Sequence, residues 1–256
     1  MPVEKSEFKD YFSTQANAYR AYRPAYPQEL FTYLAALAPD DTLAWDCACG
    51  TGQISLPLTE YFQKVIATDA SQEQINNAVH HPKIEYRIET AEHSSLSNHC
   101  ADLIVVGQAL HWFDIEAFFT EAKRVLKPNG IVAVWSYNLL TVTPQVDEII
   151  DDFDKNILGE YWAPERKLVE NGYKDIVLPF EAITTETFTM SETWDLVQLV
   201  GYLSTWSAVQ SFRKQQQNDP LELIKDKLQS AWGSPTNVKL VRWPLTLAIC
   251  TNASLP

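Results

Sequence analysis

The chain has 256 residues, a length that favours one elaborated domain over two. Apolar residues make up 46% of the sequence and charged residues 21%, which is ordinary for a globular protein and excludes general disorder. Lys and Arg number 20 against 33 Asp and Glu, so the formal net charge is −13. Because this charge repels nucleic-acid phosphates and anionic lipid headgroups, neither nucleic acid nor a membrane is an expected partner.

Two further features bear on the cellular compartment. Residues 1–15 are polar and charged, and no apolar run approaches the roughly 18 residues of a membrane-spanning helix. The four cysteines are too sparse for a disulfide framework in a chain of this length. We therefore predict a cytoplasmic protein with free thiols, and the sequence leaves open whether it is a monomer or a dimer.

The first half of the chain has the pattern of an α/β domain. Short apolar runs alternate with helix-period segments between residues 42 and 136, which predicts parallel strands joined by crossover helices. Ser71 and Gln74 form a capping box at one helix start, and Asp114 can cap another. The helix after the first strand is expected to reach Phe62. The expected strands are 42–46, 65–69, 84–88, 102–108 and 131–135, with 102–108 central because it is almost entirely apolar.

The second half has a different pattern. Helical segments rich in tryptophan follow Pro144, an alternating stretch lies near 184–189, and Asp219 begins a further helix. A last strand over 238–250 is interrupted by Pro244, which suits a sheet edge or a bulge. We predict a single domain. Its expected parts are a cofactor-binding core (1–140), a helical substrate cover (141–235) and a returning strand (236–256).

A glycine turn follows the first strand, between Asp46 and Gln53. Ligands of open α/β sheets bind beyond the carboxyl ends of the strands, and Gly50 and Gly52 let the backbone approach a ligand closely. Asp69 ends the next strand, 19 residues after Gly50, close to the spacing of about 20 for an acid that binds ribose hydroxyls. Glu92 follows the third strand and can accept a hydrogen bond from an adenine amino group. Together these residues predict a nucleoside cofactor.

Two cofactor classes share this layout. A dinucleotide-binding turn would carry a third glycine where this chain has Ser55. Asp46, just before the turn, would repel a pyrophosphate but attract the ammonium of an amino-acid moiety. These residues favour the amino-acid-bearing cofactor, and an NAD-type oxidoreductase is the alternative.

The glycine turn, Asp69, Ala91-Glu92, the strand at 101–106 and the segment 124–130 (RVLKPNG) together resemble class I S-adenosylmethionine-dependent methyltransferases with a type 11 methyltransferase domain. The resemblance implies a Rossmann-like, seven-stranded, mostly parallel sheet. It also implies an antiparallel last strand, helices on both faces and a helical cover in the C-terminal half. More narrowly, the chain resembles the small-molecule group that includes the trans-aconitate methyltransferases. That resemblance rests on Phe12, Ala16, Tyr19, residues 23–27 (RPAYP) and residues 108–114 (QALHWFD).

The resemblance implies which residues bind S-adenosylmethionine. Asp46 would lie near the methionine ammonium, Gly50 and Gly52 would line the methionine end, and Asp69 would hold the ribose. Ala91 and Glu92 would contact the adenine, and Gln108 and Ala109 would form the floor beside the sulfonium. The site would further include Cys47, Ala48, Gln53 and Ala70.

Ala48 departs from the family, which usually has glycine there. If this position needs a positive φ or a very close ligand approach, affinity for the cofactor should suffer. A methyltransferase-like binding module without turnover is therefore a second alternative function. Cys47 and Cys49 fall short of a zinc site because no second thiol pair or histidine cluster accompanies them, so no metal is expected.

Methyl transfer from a sulfonium is an in-line displacement with a good leaving group, so the protein mainly supplies positioning and a dry site. A small carboxylic acid is the favoured acceptor, since a carboxylate is already ionised, whereas a hydroxyl or amine would need a base. His111 is the candidate base, or else a structural or substrate-contacting histidine. Tyr19 and Trp112 belong to an aromatic wall around the sulfonium or to the core, together with Tyr22 and Trp135. Arg23 clamps a carboxylate or forms a surface ion pair.

Overall fold

The structure, a computed structural model, describes residues 22–183 and 185–253. Tyr19, Phe12 and Ala16 lie outside these residues. The described strands are β1 (Leu43–Cys47), β2 (Lys64–Asp69), β3 (Ile84–Ile88), β4 (Ala101–Gly107), β5 (Leu126–Tyr137), β6 (Glu181–Ile183), β7 (Thr189–Trp194) and β8 (Lys239–Thr251). The described α-helices are α1 (Gln28–Leu37), α2 (Ser55–Leu58), α3 (Gln72–Asn76), α4 (Ile115–Val125), α5 (Pro144–Asp152), α6 (Arg166–Glu170), α7 (Leu196–Ser204), α8 (Ser207–Gln216) and α9 (Lys225–Trp232).

Within the described residues the strands form one sheet in the order β3-β2-β1-β4-β5-β8-β6, with β7 paired to β8. The first five strands in this order are parallel, and β8 is antiparallel to β5. The chain order reverses between β1 and β4, and such a switch point is where open α/β sheets bind ligands. The predicted Rossmann-like class is confirmed. The sheet has eight strands instead of seven because the region around the alternating stretch contributes both β6 and β7.

Helices cover both faces of the sheet. On one face, Phe31 of α1, Trp135 of β5 and Leu199 of α7 belong to a buried cluster that extends into α5, α8 and α9. On the other, Trp45 of β1 packs with Phe118 of α4 in a cluster that extends to α6. Strands β1 and β4 are buried on both sides because each faces a cluster on either side.

Two predicted helix starts are confirmed by their caps. Ser71 Oγ accepts the Gln74 N–H at 3.3 Å, and Asp114 Oδ1 accepts the Ala117 N–H at 3.1 Å. The helix expected to reach Phe62 ends instead at Leu58. Beyond it the chain continues in tight turns, in which the N–H groups of residues 59–61 bond the carbonyl three residues earlier and Phe62 N–H bonds the Leu58 carbonyl. Asp219 caps a 3₁₀ turn over Pro220–Leu223, and α9 begins only at Lys225.

Of the two positions predicted to suit Pro244, a sheet edge or a bulge, the structure excludes the edge and has a bulge. Strand β8 lies inside the sheet, between β5 and β6, and Pro244 marks the point where its neighbours change. Residues 239–244 pair with β7, and residues 245–251 pair with β5. Tyr137 pairs with Leu245 and Thr141 with Arg242, so a step of four residues opposes a step of three, and a proline is tolerated at such a bulge.

Strand β5 begins five residues earlier than predicted, at Leu126. Ala101 pairs with Leu126, and the register then shifts before Leu103 pairs with Ile131. Asn129 takes a left-handed φ of +62° within this irregularity. The segment that ends α4 therefore also opens the strand, which sequence periodicity does not reveal.

The structure also shows the state of the cysteines and the length of the helices. All four cysteines are free thiols. In the described part of the chain, every helix is too short or too polar to span a bilayer.

Candidate functional site

Asp46 lies near the carboxyl end of β1 and is fully buried. Its Oδ2 accepts the Ser55 hydroxyl at 2.5 Å, whereas its Oδ1 is buried with no hydrogen-bond partner among the described residues. Burial raises the pKa of Asp46 to about 7, and the neighbouring Asp69 adds to the rise. An ammonium group would satisfy this buried acceptor oxygen and favour its ionised form.

The turn after β1 is left-handed at Ala48, with a φ of +59°. The condition under which the sequence analysis expects a loss of cofactor affinity, a positive φ at this position, is therefore met. A residue with a Cβ is strained in this conformation, whereas glycine is not. The turn is fixed to its neighbouring strand, since Cys49 N–H donates to the Thr68 carbonyl at 2.9 Å. Burial raises the pKa of Cys47 and Cys49, so both are thiols that pack in the turn.

Asp69, at the end of β2, joins the turns that follow the two strands. Its Oδ2 accepts the Gly50 N–H and its Oδ1 accepts the Ser71 N–H, both at 2.8 Å. A carboxylate offers about four lone-pair positions, so both oxygens can accept further bonds from ribose hydroxyls. Ala70 follows it and is half-buried.

Gly52 contacts the protein where a ligand contact was expected. A Cβ on this residue, which has a φ of +86°, would lie 2.2 Å from the Tyr86 hydroxyl. Tyr86 donates that hydroxyl to the Val79 carbonyl at 2.9 Å. The glycine is therefore required by the packing of Tyr86, a residue that the sequence did not single out. Beside it, Gln53 donates its side-chain amide to the Pro24 carbonyl and so ties the turn to the segment before α1.

The expected adenine residues follow β3. Ala91 is buried, and Glu92 Oε1 accepts the backbone N–H of Asp114 at 3.0 Å. Glu92 thus connects this loop to the start of α4, which brings the loop to the same edge of the sheet as Asp69.

Gln108 follows β4 in a left-handed conformation, with a φ of +55°. Its Nε2 donates to the Tyr137 carbonyl at 3.0 Å, and its Oε1 accepts the Tyr137 N–H at 2.9 Å. Both ends of the amide are thus bonded to β5, so Gln108 fixes the end of β4 to its neighbour. Ala109 beside it is buried.

A cavity of about 90 Å³ opens beyond β4 and β5, under the helices of the second half. It brings together Arg23, Gln108, His111 and Trp112 from the predicted set and adds Arg166, which the sequence gave no reason to select. Trp135 is instead fully buried and packs edge-on against Tyr26. The aromatic residues that line the cavity are Trp112, Tyr137, Trp162, Tyr202 and Trp206.

Both arginines of the cavity are held by aromatic rings. Arg23 lies over the Tyr202 ring at 5.2 Å and donates from Nη1 to the Tyr137 hydroxyl at 2.8 Å. Arg166 stacks 3.8 Å from the Trp162 ring centre and pairs with Asp154 at 3.2 Å. Stacking of this kind orients a guanidinium while its edge stays able to bind an anion.

His111 is buried at the cavity wall, and its Nδ1 lies 2.9 Å from the Tyr173 hydroxyl. Burial, together with the positive charge of Arg166, lowers the pKa of His111 to about 3. Burial raises the pKa of Tyr173. Both rings are therefore uncharged at neutral pH.

The residues at the strand ends fit S-adenosylmethionine. The unpaired Asp46 oxygen suits the methionine ammonium, and the Asp69 carboxylate suits the ribose hydroxyls. The cavity lies beyond the end of β4, the strand next to β1, and its wall includes Gln108, which the sequence placed beside the sulfonium. This arrangement, on a sheet with five parallel strands and an antiparallel neighbour, is that of class I methyltransferases.

Comparison with known proteins agrees with this class. A family model described as a methyltransferase domain matches residues 45–134. A Dictyostelium discoideum protein, provisionally named a methyltransferase, is 36% identical over 231 residues, which cover 89% of this chain and 88% of its own. The solved structure of a provisionally assigned type II methyltransferase from Anaeromyxobacter dehalogenans is 37% identical with a TM-score of 0.86, covering 91% of this chain and 100% of that one. The chain belongs to the class I S-adenosylmethionine-dependent methyltransferases.

A more distant structure shares the fold alone. The phosphoethanolamine N-methyltransferase 2 of Haemonchus contortus, solved with phosphomonomethylethanolamine and S-adenosylhomocysteine, is 15% identical with a TM-score of 0.51. The match covers 99% of this chain and 62% of that one.

Proposed function

We propose that the protein transfers the methyl group of S-adenosylmethionine to a carboxylate oxygen of a small organic acid and so forms a methyl ester. The cofactor would supply an electrophilic methyl group bonded to a sulfonium. Asp46 would bind its ammonium, Asp69 its ribose, and Ala91 and Glu92 would border its adenine. The neighbouring cavity would hold the acid.

The observation that carries the choice of acceptor is the composition of the cavity wall. Two arginines line it, and among the described lining residues none is Asp, Glu or Lys. His111, which also lines it, has a pKa of about 3 and is therefore a weak base. An alcohol or amine acceptor would have to lose a proton to a group that the wall does not offer. A carboxylic acid with a pKa near 4 is already ionised at neutral pH.

The arginines and the aromatic rings have separate roles in this proposal. Arg23 and Arg166 would bind the carboxylates of the acid and hold one oxygen in line with the methyl group. Trp112, Trp162 and Tyr202 would exclude water, and their ring faces would favour the positive charge of the sulfonium.

The cofactor is tested by calorimetric titration of the purified protein with S-adenosylmethionine, S-adenosylhomocysteine and NADH. Asp69→Ala should weaken binding of the first two by about 100-fold, because it removes the ribose acceptor and the anchor of the Gly50 N–H. Glu73→Ala removes an exposed acid from α3 and is the matched control. Binding of NADH alone would instead support the oxidoreductase alternative.

The acceptor is tested with methyl-labelled S-adenosylmethionine and a panel of mono-, di- and tricarboxylic acids, each matched with an alcohol and an amine of the same skeleton. A methyl ester releases labelled methanol in mild base, whereas methyl ethers and N-methyl products do not. We expect base-labile product from acids only. Label that is stable to base would contradict the proposal, and cofactor binding without any transfer would support the binding module.

The role of the arginines is tested by Arg166→Gln. It should raise KM for the acid by about tenfold to 100-fold with a smaller effect on kcat, since it removes a charged hydrogen-bond donor for the substrate. Arg166→Lys should recover only part of this loss, because an ammonium cannot reproduce the planar fork that stacks on Trp162. A matched control is Arg213→Gln, which removes an arginine that pairs with Asp219 and does not line the cavity.

A further inference from the structure

Tyr173, which the proposed function does not use, lies in a strained segment after α6. Gly172 and Tyr173 follow each other in left-handed conformations, with φ values of +66° and +59°. Gly172 tolerates this, and a Cβ there would lie 2.9 Å from Cγ2 of Thr246. Tyr173 has a Cβ and adopts the conformation at a cost. Such strain persists where the surrounding structure fixes it, and it gathers at functional sites.

This backbone places the Tyr173 phenol behind His111. The hydroxyl lies 2.9 Å from Nδ1, and the two rings are inclined by 29°. His111 keeps 9% of its surface exposed and lines the cavity, whereas Tyr173 is buried and does not belong to the lining. The Nδ1 edge of the imidazole is thus bonded to the protein interior, and the Nε2 edge is left for the cavity.

The surroundings of the phenol determine which group donates. Tyr173 is buried, and the hydrogen-bond partner of its hydroxyl among the described residues is Nδ1 of His111. If Nδ1 carried the proton and donated it to the phenol, the hydrogen of the phenol would be left buried without an acceptor, which is costly. The acceptor in reach of that hydrogen is Nδ1 of His111. In a neutral imidazole that accepts at Nδ1, the proton is on Nε2.

We infer that Tyr173 is a positioning residue that holds His111 as the Nε2–H tautomer, so that His111 presents a hydrogen-bond donor to the substrate anion. The role toward a substrate rests on the proposed function, whereas the tautomer does not. Arg166 is the charged group that acts on His111, and its positive charge opposes a second proton on the ring. Arg23, Arg166 and the Nε2–H group would then surround the acid with donors.

The tautomer is tested by NMR on protein labelled with ¹⁵N in the histidine rings, using long-range ¹H–¹⁵N correlations at pH 7. The chain has five histidines, and the signal lost in His111→Gln assigns His111. We expect the Nε2–H pattern in the native chain and a mixture of tautomers in Tyr173→Phe. An Nδ1–H pattern, an imidazolium, or an unchanged pattern in Tyr173→Phe would overturn the inference.

Tyr161→Phe is the matched control for folding. Tyr161 is another buried tyrosine whose hydroxyl is hydrogen-bonded, to Gln216 at 2.9 Å, and it does not line the cavity. This variant should lose a comparable hydrogen bond while the His111 signals stay as in the native chain. Shifted His111 signals in the control would show that Tyr173 has no specific effect.

Kinetics then separate a donor from a base. Glutamine carries an N–H donor that can reach the position of Nε2, but it takes up no proton. His111→Gln should therefore stay within about tenfold of the native kcat/KM, whereas His111→Ala should lose about 100-fold, mainly in KM for the acid. Equal losses in the two variants would show that His111 acts as a base. If no acid is methylated at all, the proposed function fails, and the NMR pattern still decides the tautomer.

Discussion

Replacing Ala48 by glycine tests whether the turn at the candidate cofactor site is strained. Ala48 has a φ of +59°, and the left-handed conformation costs an L residue roughly 1–2 kcal/mol. Glycine removes this strain but gives the unfolded chain more freedom, which costs about 0.4–1 kcal/mol. The loss of a half-buried methyl group removes a few tenths of a kcal/mol more, since a fully buried one contributes about 0.8. We therefore expect Ala48→Gly to change the free energy of unfolding by less than about 1 kcal/mol.

A comparison with Ala70→Gly isolates the strain. Ala70 is also half-buried and follows the neighbouring strand, but its φ is not positive. The control should lose about 1 kcal/mol, so Ala48→Gly should be more stable than the control by roughly 1–2 kcal/mol. Urea unfolding of both variants measures this difference, and titration with S-adenosylhomocysteine should show equal or tighter binding for Ala48→Gly. Equal destabilisation in the two variants would refute the strain argument.

Three further predictions concern buried groups near and far from the site. Burial raises the pKa of Asp46 to about 7, so between pH 4 and 7 the folded chain keeps a proton on Asp46 that the unfolded chain releases. The stability that this proton contributes is lost as pH rises through that range. In urea unfolding, the free energy of unfolding of Asp46→Asn, relative to that of the native chain, should therefore rise by about 3 kcal/mol between pH 5 and 8. If the difference in unfolding free energy between the two chains did not change with pH, the raised pKa of Asp46 would be contradicted. Gly52→Ala should lower the free energy of unfolding by about 2 kcal/mol or more, because the new Cβ meets the Tyr86 hydroxyl. Adding Tyr86→Phe to this variant removes the hydroxyl and should restore part of the lost stability. A double variant no more stable than Gly52→Ala would exclude the clash. Asp102→Ala should lower the free energy of unfolding by about 3 kcal/mol, because Asp102 accepts the Leu43 N–H and pairs with Lys127. Calorimetric titration of this variant should show unchanged cofactor affinity.

Much of the sheet could be predicted from local patterns. Strand β3 matches its predicted limits, β2 begins one residue earlier than predicted, and β1 and β4 are each shifted by one residue at both ends. These strands are short apolar runs between turn residues, so their periodicity carries the information. The place of β8 could not be predicted, because it depends on pairing with β5 and β7 along different halves of one strand. Nothing local to Pro244 specifies that change of neighbours.

The candidate site could be predicted where a motif and a strand end coincide. Asp46 and Asp69 carry their own signal, because each is a carboxylate that follows an apolar run. Arg166 and Tyr173 carry none, since they reach the cavity and His111 only through the path of the second half of the chain. The role of Gln108 was also beyond sequence reasoning, because its amide is bonded to the backbone of a strand 29 residues away.

Two buried carboxylates in neighbouring strands differ in their hydrogen-bond partners, and the difference fits the proposed ligand site at one end of the sheet. Asp102 begins β4 at the amino end, and its oxygens are satisfied by the Leu43 N–H at 2.9 Å and Lys127 at 2.7 Å. Asp46 lies at the carboxyl end of β1 and is just as buried, but its Oδ1 has no partner among the described residues. An unsatisfied buried acceptor destabilises the fold by about 1–3 kcal/mol, whereas a paired one does not. Binding of a cationic group recovers that cost at Asp46 and would gain nothing at Asp102. The same residue type thus stabilises the sheet at one end and, in the proposed function, would support cofactor binding at the other.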